Sequence, residues 1–186
     1  DCAPQVRIEI LILRDTLPEQ ELAHGEIDLV LGFDEYMQVP GHLSRETWLT
    51  EPLVGLVRRE HPQLGASLTL EELIATPHVF HSPLGTRESI VDHFLARQGL
   101  ARQISVNSQS YMSAAAIVSQ SDHLLVLPAR VAEMLTSGWP LRQLTLPPQM
   151  PSYHLNFVWH PLHDQQAAQL WLRQMMQAVI TPPRQP

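Results

Sequence analysis

The sequence contains no lysine: its 12 basic residues are all arginine, and 19 acidic residues give a formal net charge of −7. An acidic chain without basic clusters binds polyanions poorly, so this segment is not expected to contact DNA or RNA directly. Cys2 is the only cysteine, so no internal disulfide can form within the sequence. This composition fits a reducing compartment such as the cytoplasm.

Long apolar runs and common catalytic motifs are also missing. The apolar stretches are only a few residues long, which argues against a membrane-spanning helix. No charged start followed by an apolar run and a small-residue cleavage site is present, so no secretory signal is expected. The sequence has no GxSxG elbow, phosphate loop or GxGxxG fingerprint. Nothing therefore indicates covalent hydrolysis, nucleotide chemistry or a bound cofactor.

Length and composition favour a folded chain with a substantial core. Of the 186 residues, 44% are apolar and 17% are charged, which is typical of globular rather than disordered protein. The length fits one domain, or one domain split into two small lobes. Strand-like and helix-like segments alternate from one end to the other. This alternation predicts an α/β architecture with a mainly parallel sheet.

Hydrophobic periodicity and capping signals locate the individual elements. Strands are predicted over residues 6–10, 27–32, 48–58, 79–81, 104–106, 124–127, 141–146 and 153–159. Helices are predicted over residues 18–24, 69–76, 86–98, 111–120, 129–135 and 164–179. Thr69 and Glu72 form a capping box, Gly25 suits a left-handed C-cap, and Asp164 is placed to cap the last helix. The buried face of that helix is predicted to comprise Ala168, Trp171, Leu172, Met175 and Val179.

Two strand-to-helix segments carry the chemistry of a small-ligand site. Residues 81–87 offer hydroxyls, helix amides and a guanidinium, and residues 107–111 repeat much of that chemistry one unit later. A helix N-terminus carries about half a positive charge and exposes amide donors, so a small carboxylate is a natural ligand there. The alternative is that the serine and threonine side chains merely cap helices.

Five short sequence motifs are spread along the chain. They are LAHGEIDLVLG at 22–32, EPLVGLVRREHP at 51–62, LTLEEL at 68–73, LLVLPARVA at 124–132, and Trp159-His160 followed by Asp164 and Trp171-Leu172-Arg173. Together they resemble the effector-binding domain of LysR-type transcriptional regulators. The last motif resembles the C-terminal signature of a subgroup that includes regulators of aromatic-compound degradation and of nodulation. The resemblance extends over almost the whole sequence.

The resemblance implies a two-lobed fold like that of type 2 periplasmic binding proteins, with two crossing strands. Lobe one would take residues 1–54 and 144–186, and lobe two would take residues 55–143. The crossings would lie near residues 53–58 and 141–146. In this family a small effector binds between the lobes and changes how dimers and tetramers hold DNA.

Two departures from the family pattern are visible. The winged helix-turn-helix that reads DNA is absent from this sequence, so DNA contact is expected only through a segment outside it. The sequence also begins at what resembles the family's second strand, so lobe one is expected to be truncated at the N-terminus. The resemblance therefore implies a sensing domain without catalysis, a homodimer or homotetramer in the cytoplasm, with no membrane contact.

Effector-binding residues follow from the resemblance by position. They are Ser82, Thr86, Ser110, Tyr111, Phe33 and Arg87. The hydroxyl groups would hold a ligand carboxylate or hydroxyl, and the rings of Phe33 and Tyr111 would form apolar walls. Arg87 is a further candidate partner for a carboxylate. The subgroup likeness makes an aromatic carboxylate one candidate effector.

Two other functions remain open at this point. A solute-binding protein that feeds a transporter shares the two-lobed fold, although the missing secretory signal argues against it. A small metal-dependent α/β enzyme could use His160, His163 and Asp164 as ligands. A winged helix-turn-helix encoded upstream of this sequence would favour a regulator, and a signal peptide there would favour a solute-binding protein.

Replacing Thr86 with alanine tests the expected effector contact. Thr86→Ala is expected to weaken the response to effector because a hydrogen bond to the ligand is lost. The thermal midpoint of the free protein should remain nearly unchanged. Thermal shift measured with and without effector checks both values, and an unchanged response would remove Thr86 from the site.

Overall fold

The computed structural model describes residues 3–13, 16–33, 37–82 and 88–180. Its helices are α1 (Glu19–His24), α2 (Leu70–Ala75), α3 (Ile90–Ala96), α4 (Tyr111–Ser119), α5 (Ala129–Gly138) and α6 (Ala167–Ile180). Its strands are β1 (Val30–Phe33), β2 (Ser44–Glu51), β3 (Leu53–Arg58), β4 (His78–His81), β5 (Ile104–Ser108), β6 (Leu124–Pro128), β7 (Leu141–Leu144) and β8 (Tyr153–Trp159). Within these ranges no helix has both the length and the apolar character that crossing a membrane requires.

The chain divides into two compact units. The first comprises residues 1–32, 37–45 and 157–186, and the second comprises residues 33–36 and 46–156. The core of the first unit is small, and its buried residues are Leu22, Val30, Met37, Leu43 and Val158. A three-stranded sheet has the order β1-β8-β2.

The second unit is built on a five-stranded sheet of order β5-β4-β6-β3-β7. Strand β4 is parallel to both β5 and β6, as the alternating sequence predicts. Strand β3 is antiparallel to both of its neighbours, β6 and β7, so the sheet is mixed rather than mainly parallel. The alternation of strands and helices in the sequence indicates only that a helix separates two strands. It does not give the direction of β3, which is set by long-range pairing with β6 and β7.

Helices cover both faces of this sheet. Strand β3 contributes to both packed layers, because its successive side chains point to opposite faces. Leu53 and Val57 pack in one cluster with Leu73 of α2 and Leu95 of α3. Leu56 packs in the other cluster, whose members on α4 and α5 include Ala114, Ala115, Val118, Ala132 and Leu135. The buried alanines Ala114 and Ala115 let the α4 backbone approach the strands closely.

Helix boundaries follow the local capping chemistry. The Thr69 hydroxyl accepts from the Glu72 N–H while the Glu72 carboxylate accepts from the Thr69 N–H, so the predicted capping box is confirmed. Gly25 adopts the left-handed conformation, with φ of 73°, at the end of α1. The helix predicted over 86–98 instead begins at Ile90, where Ser89 and Asp92 form a second capping box that the sequence analysis missed.

The strand predicted over residues 6–10 is not formed. These residues have no regular secondary structure, and the side chains of Ile8 and Ile10 are 67% and 89% exposed. Alternation alone does not stabilise a strand, since its backbone groups need a partner strand. Among the described residues no strand pairs with this segment.

The C-terminal helix also differs from the prediction. It begins at Ala167 rather than at Asp164, and Gln169 and Arg173 are its buried residues, whereas Ala168 and Val179 are exposed. The polar contacts of these two residues, rather than the spacing of the apolar residues, accompany the face of the helix that is buried. The Gln169 amide donates to Asp28, and Arg173 lies 4.2 Å from the Trp159 ring centroid.

Close packing around Gly55 on β3 generates a stability prediction. A Cβ added there would lie 3.0 Å from Leu124, 3.1 Å from Leu68 and 3.3 Å from Leu144, all buried. Gly55→Ala is therefore expected to lower the free energy of unfolding by about 1–3 kcal/mol, because these neighbours must move. Urea denaturation gives the value. The matched control is Gly65→Ala, where no atom lies within 4 Å of the added Cβ; equal loss in both variants would contradict the packing argument.

Candidate functional site

A cavity of about 230 Å³ lies in the second unit, at the carboxyl ends of the parallel strands β4 and β6. Its lining residues are Phe33, Leu53, Phe80, His81, Ser89, Val91, Arg102, Tyr111, Val126, Pro128 and Tyr153. His81 ends β4, Pro128 ends β6, and Tyr111 begins α4. This edge of a sheet is where ligands of α/β proteins commonly bind.

Aromatic side chains form much of the cavity wall. The rings of His81 and Tyr111 are stacked, with centroids 3.5 Å apart and planes inclined by 13°. Phe33 and Tyr153 form a second pair, with centroids 4.7 Å apart and planes inclined by 39°. Flat rings held against one another keep their orientation, so the wall presents preformed apolar surfaces.

His81 is an uncharged part of this wall. Burial lowers the pKa of His81 from 6.5 to about 4, although a hydrogen bond to the Gln109 carbonyl opposes the shift. At neutral pH the imidazole is therefore neutral, and one ring nitrogen donates to Gln109 while the other can accept. The wall at this point offers an acceptor rather than a positive charge.

Beside the rings lies a buried guanidinium, that of Arg102, whose side chain is 2% exposed. Its Nε donates to Asp92 Oδ1 at 2.8 Å, and its Nη2 donates to Asp92 Oδ2 at 2.8 Å and to Ser89 Oγ at 3.1 Å. Its Nη1 donates to His78 Nδ1 at 3.2 Å. Four of the five guanidinium N–H groups are thereby engaged, and the carbon Cζ lies 5.3 Å from the Phe80 ring centroid.

The tautomer of His78 follows from its two partners. His78 Nε2 lies 2.8 Å from the Leu73 carbonyl oxygen, which can only accept, so Nε2 carries the proton and Nδ1 is free to accept from Arg102. Burial, and then the charge of Arg102, lowers the pKa of His78 from 6.5 to about 3. A neutral histidine can therefore sit against a cation at this position.

Asp92 and Ser89 complete the network. Burial raises the pKa of Asp92, but hydrogen bonds and charge from Arg102, with bonds from Ser89, outweigh burial and hold that pKa below its usual value. Ser89 Oγ donates to Asp92 and accepts from the Val91 N–H and from Arg102. With its hydroxyl so engaged, Ser89 is a helix cap rather than a nucleophile.

The predicted effector residues fall into three groups. Phe33 and Tyr111 both line the cavity, 78 positions apart in sequence. Ser82 is buried, and Ser110 caps α4 through the Ser113 N–H; neither belongs to the residues that line the cavity. Thr86 and Arg87 lie outside the described residues.

Several lining residues were missed by sequence reasoning. Phe80, Arg102 and Tyr153 carry no motif, because their roles depend on contacts across the sheet. A signal did exist for Ser89, since Ser89 and Asp92 have capping-box spacing in the sequence.

The alternative metal site is not assembled. His160 Nδ1 accepts from the Leu162 N–H, His163 Nε2 donates to the Ala23 carbonyl, and Asp164 Oδ1 accepts from Trp159 and Ser44. Across the part of the chain that the structure describes, no group of three or more potential ligands is placed to hold a metal ion.

A second cavity, of about 270 Å³, also lies in the second unit and includes His61, Asp122 and His123 in its lining. His61 Nδ1 accepts from the backbone of Gln63 and Leu64, and Nε2 donates to the Asp122 carbonyl. The Asp122 carboxylate accepts from Arg58 at 2.6 Å. These groups serve the scaffold, so the aromatic cavity is the better candidate site.

Comparison with known proteins identifies relatives over nearly the whole chain. The family model described as the LysR substrate binding domain matches residues 3–181. The HTH-type transcriptional activator NahR of Pseudomonas putida is 30% identical, over 87% of this chain and 53% of that protein. Nodulation protein D 3 of Mesorhizobium japonicum is 28% identical, over 94% of this chain and 57% of that protein. The chain thus spans about half the length of the curated relatives it matches.

Solved structures agree with this result. A probable transcriptional regulator from Pseudomonas aeruginosa superposes with a TM-score of 0.83 and 29% identity, covering 95% of this chain and 57% of that chain. The regulatory domain of MexT, a transcriptional activator in the same organism, superposes with a TM-score of 0.76 and 23% identity, covering 90% and 80%. The two-lobed periplasmic-binding-protein-like fold expected from the sequence is confirmed, and a regulator is favoured over a transporter's solute-binding protein.

The neutral buried histidines predict how stability depends on pH. Because the folded-state pKa of His78 is lowered to about 3, the unfolded chain binds a proton as pH falls below 6.5 while the folded chain does not. Stability is therefore full above pH 6.5 and is lost toward pH 3, by up to about 1.4 kcal/mol per pH unit for this group. In His78→Gln, the slope of unfolding free energy between pH 6.5 and 4 should be shallower than in wild type.

The control for this experiment is His24→Gln, whose side chain is 69% exposed in wild type. Denaturant titrations at several pH values give the slopes. His24→Gln should keep the wild-type slope, because this exposed substitution leaves the buried contacts of His78 in place. A His78→Gln slope equal to that of wild type would show that His78 is not held neutral.

Proposed function

Because the chain belongs to the LysR substrate-binding domain family, we propose that it is the effector-sensing part of a DNA-binding transcriptional regulator. It acts in the cytoplasm by binding a small molecule rather than by catalysis, and DNA is read by a segment other than this one. The observation that carries the proposal is the aromatic cavity at the carboxyl ends of β4 and β6. The name of one relative, an HTH-type transcriptional activator, supports regulation.

The effector contacts come from side chains at this edge of the sheet. Phe33 and Tyr111 supply ring surfaces, and both line the cavity. The remaining proposed contacts are polar and come from Ser82, Thr86, Ser110 and Arg87. The hydroxyls hold a polar group of the effector, and the rings cover its apolar part.

Effector binding changes the state of an assembled regulator. The assembly is a homodimer or homotetramer, as the family resemblance implies, and the two compact units of the chain support a two-lobed sensor. The working lobe boundaries are those proposed from the sequence, 1–54 with 144–186 and 55–143. To move a two-state equilibrium from 1:99 to 99:1, the effector must favour one state by about 5.5 kcal/mol. Contacts made equally in both states contribute nothing to this difference.

A small-molecule screen tests the proposal. At a ligand concentration one hundred times Kd, one bound effector should add about 2.7 kcal/mol to stability, which raises Tm by several degrees. We expect at least one compound to give a saturable thermal shift, with one site per chain by titration calorimetry. Tyr111→Ala should reduce the shift because a cavity wall is lost.

Met112→Ala is the matched control, since Met112 is next in sequence, 55% exposed and outside the cavity lining. It should retain the wild-type shift. If no compound in a broad library of small aromatic, aliphatic and carboxylate molecules gives a saturable shift, effector sensing by this chain is refuted. If Met112→Ala loses the shift as Tyr111→Ala does, the ligand binds elsewhere.

A further inference from the structure

Helix α5 begins without a side-chain cap from its own N-cap residue. That residue is Pro128, which makes no side-chain hydrogen bond to the helix. The N–H groups of a first helical turn have no partner within the helix, so they need acceptors from elsewhere. At α5 the acceptors come from a distant part of the chain, the junction between β2 and β3.

Two consecutive residues of that junction supply the acceptors. The Ala129 N–H donates to the Pro52 carbonyl oxygen at 2.9 Å, and the Arg130 N–H donates to Glu51 Oε1 at 2.8 Å. The backbone of Pro52 has no N–H and can only accept. Glu51 and Pro52 open the motif EPLVGLVRREHP at 51–62, so these contacts give its first two residues a physical role.

The Glu51 carboxylate is buried, which distinguishes this contact from a surface ion pair. The Glu51 side chain is 5% exposed, whereas the Arg130 side chain, whose Nε donates to Glu51 Oε2 at 3.1 Å, is 58% exposed. A buried carboxylate has to be stabilised by hydrogen bonds and by positive charge. The Arg130 amide and the positive end of the α5 dipole supply both. Because an exposed ion pair contributes little by itself, the bond to the helix amide is the main contact.

These contacts lie beside the aromatic cavity. Leu53 follows Pro52 in the chain, and Pro128 precedes Ala129. Leu53 and Pro128 both line the cavity, and their Cα atoms are partners in the β3–β6 pairing. Each of the two lining residues is therefore one position away from a hydrogen bond that joins the β2–β3 junction to α5. All of these residues belong to the second unit.

From the juxtaposition of a buried carboxylate, a helix start without a cap of its own and the cavity edge, we infer that Glu51 is a positioning residue of the proposed effector site. Through the first turn of α5, its carboxylate holds Pro128 beside Leu53. Glu51 is not itself among the lining residues. The inference rests on the proposed function in treating this cavity as an effector site. Its experiments need no effector, so their failure is distinct from failure of the small-molecule screen.

Amide hydrogen exchange, measured by NMR on the whole chain, tests the anchor. In Glu51→Ala the protection factor of the Arg130 N–H should fall roughly tenfold or more, because a hydrogen bond to a charged acceptor is lost. In Glu51→Gln a neutral oxygen can still accept, so the fall should be roughly fivefold. The Leu135 N–H in the interior of α5 is the internal reference, since a loss of global stability lowers both protection factors. The ratio of the two protection factors isolates the local effect.

Two matched variants separate the anchor from other effects of charge. Arg130→Met removes the guanidinium but keeps the backbone N–H, so the ratio should stay within about twofold of wild type. Glu133→Gln removes an exposed carboxylate from the same helix and should leave the ratio unchanged. Circular dichroism verifies that each variant is folded. Glu51→Gln, which preserves side-chain size, provides the test if Glu51→Ala does not fold.

The position of the cavity edge has a signature of its own. Nuclear Overhauser effects between Leu53 and Pro128 report one end of the β3–β6 pair, and those between Gly55 and Val126 report the same pair further along. In the Glu51 variants the first set should weaken while the second persists, because only the end beside α5 depends on the anchor. Equal weakening of both sets would show general loosening of the sheet and would overturn the positioning role.

The remaining outcomes also overturn the inference. An unchanged ratio in the folded Glu51 variants would show that the carboxylate does not anchor α5. An equal fall in Arg130→Met would assign the effect to the exposed ion pair. Unchanged Overhauser effects between Leu53 and Pro128, together with a lowered ratio, would leave a helix cap without a positioning role. In each case effector sensing stands or falls with the small-molecule screen alone.

Discussion

The buried ion pair between Arg102 and Asp92 is the interaction on which the described wall of the cavity depends. Arg102 lies two residues before β5, Asp92 lies in the first turn of α3, and His78 begins β4, so one guanidinium links three parts of the unit. Removing one partner of such a pair typically costs about 3–5 kcal/mol, because the other charge is left buried and uncompensated. The network thus fixes Ser89, the N-cap of α3, and, by packing, the ring of Phe80.

The same network explains why a polar cluster can border an apolar cavity. Each side chain of the network has an internal partner: Arg102 for Asp92, the Leu73 carbonyl for His78, and the helix amide of Val91 for Ser89. Polar groups satisfied in this way exert little attraction on a charged ligand. Among the described lining residues, the rings beside them are then the surfaces best able to contact a small molecule.

Local signals in the sequence predicted much of the fold. The box at Thr69, the strand at 153–159 and the strand-Pro-helix unit at 124–132 each depend on neighbouring residues, and each was found. The direction of β3 and the failure of residues 6–10 to form a strand depend on distant partners, which periodicity does not report. The cavity lining divides in the same way: Phe33 and Tyr111 were named from the family resemblance and line the cavity, whereas Arg102 is held there by contacts with residues such as His78, 24 positions away.

The low pKa values near the cavity determine the charge of its described wall. His78 and His81, with pKa values of about 3 and 4, both remain neutral above roughly pH 5, and Asp92 remains ionised over the same range because its pKa is held below the usual value. The charge of the described wall is therefore constant across the physiological range, although histidine is the side chain that most often titrates there. Titration of the described wall consequently adds no pH dependence of its own to binding at this cavity within that range.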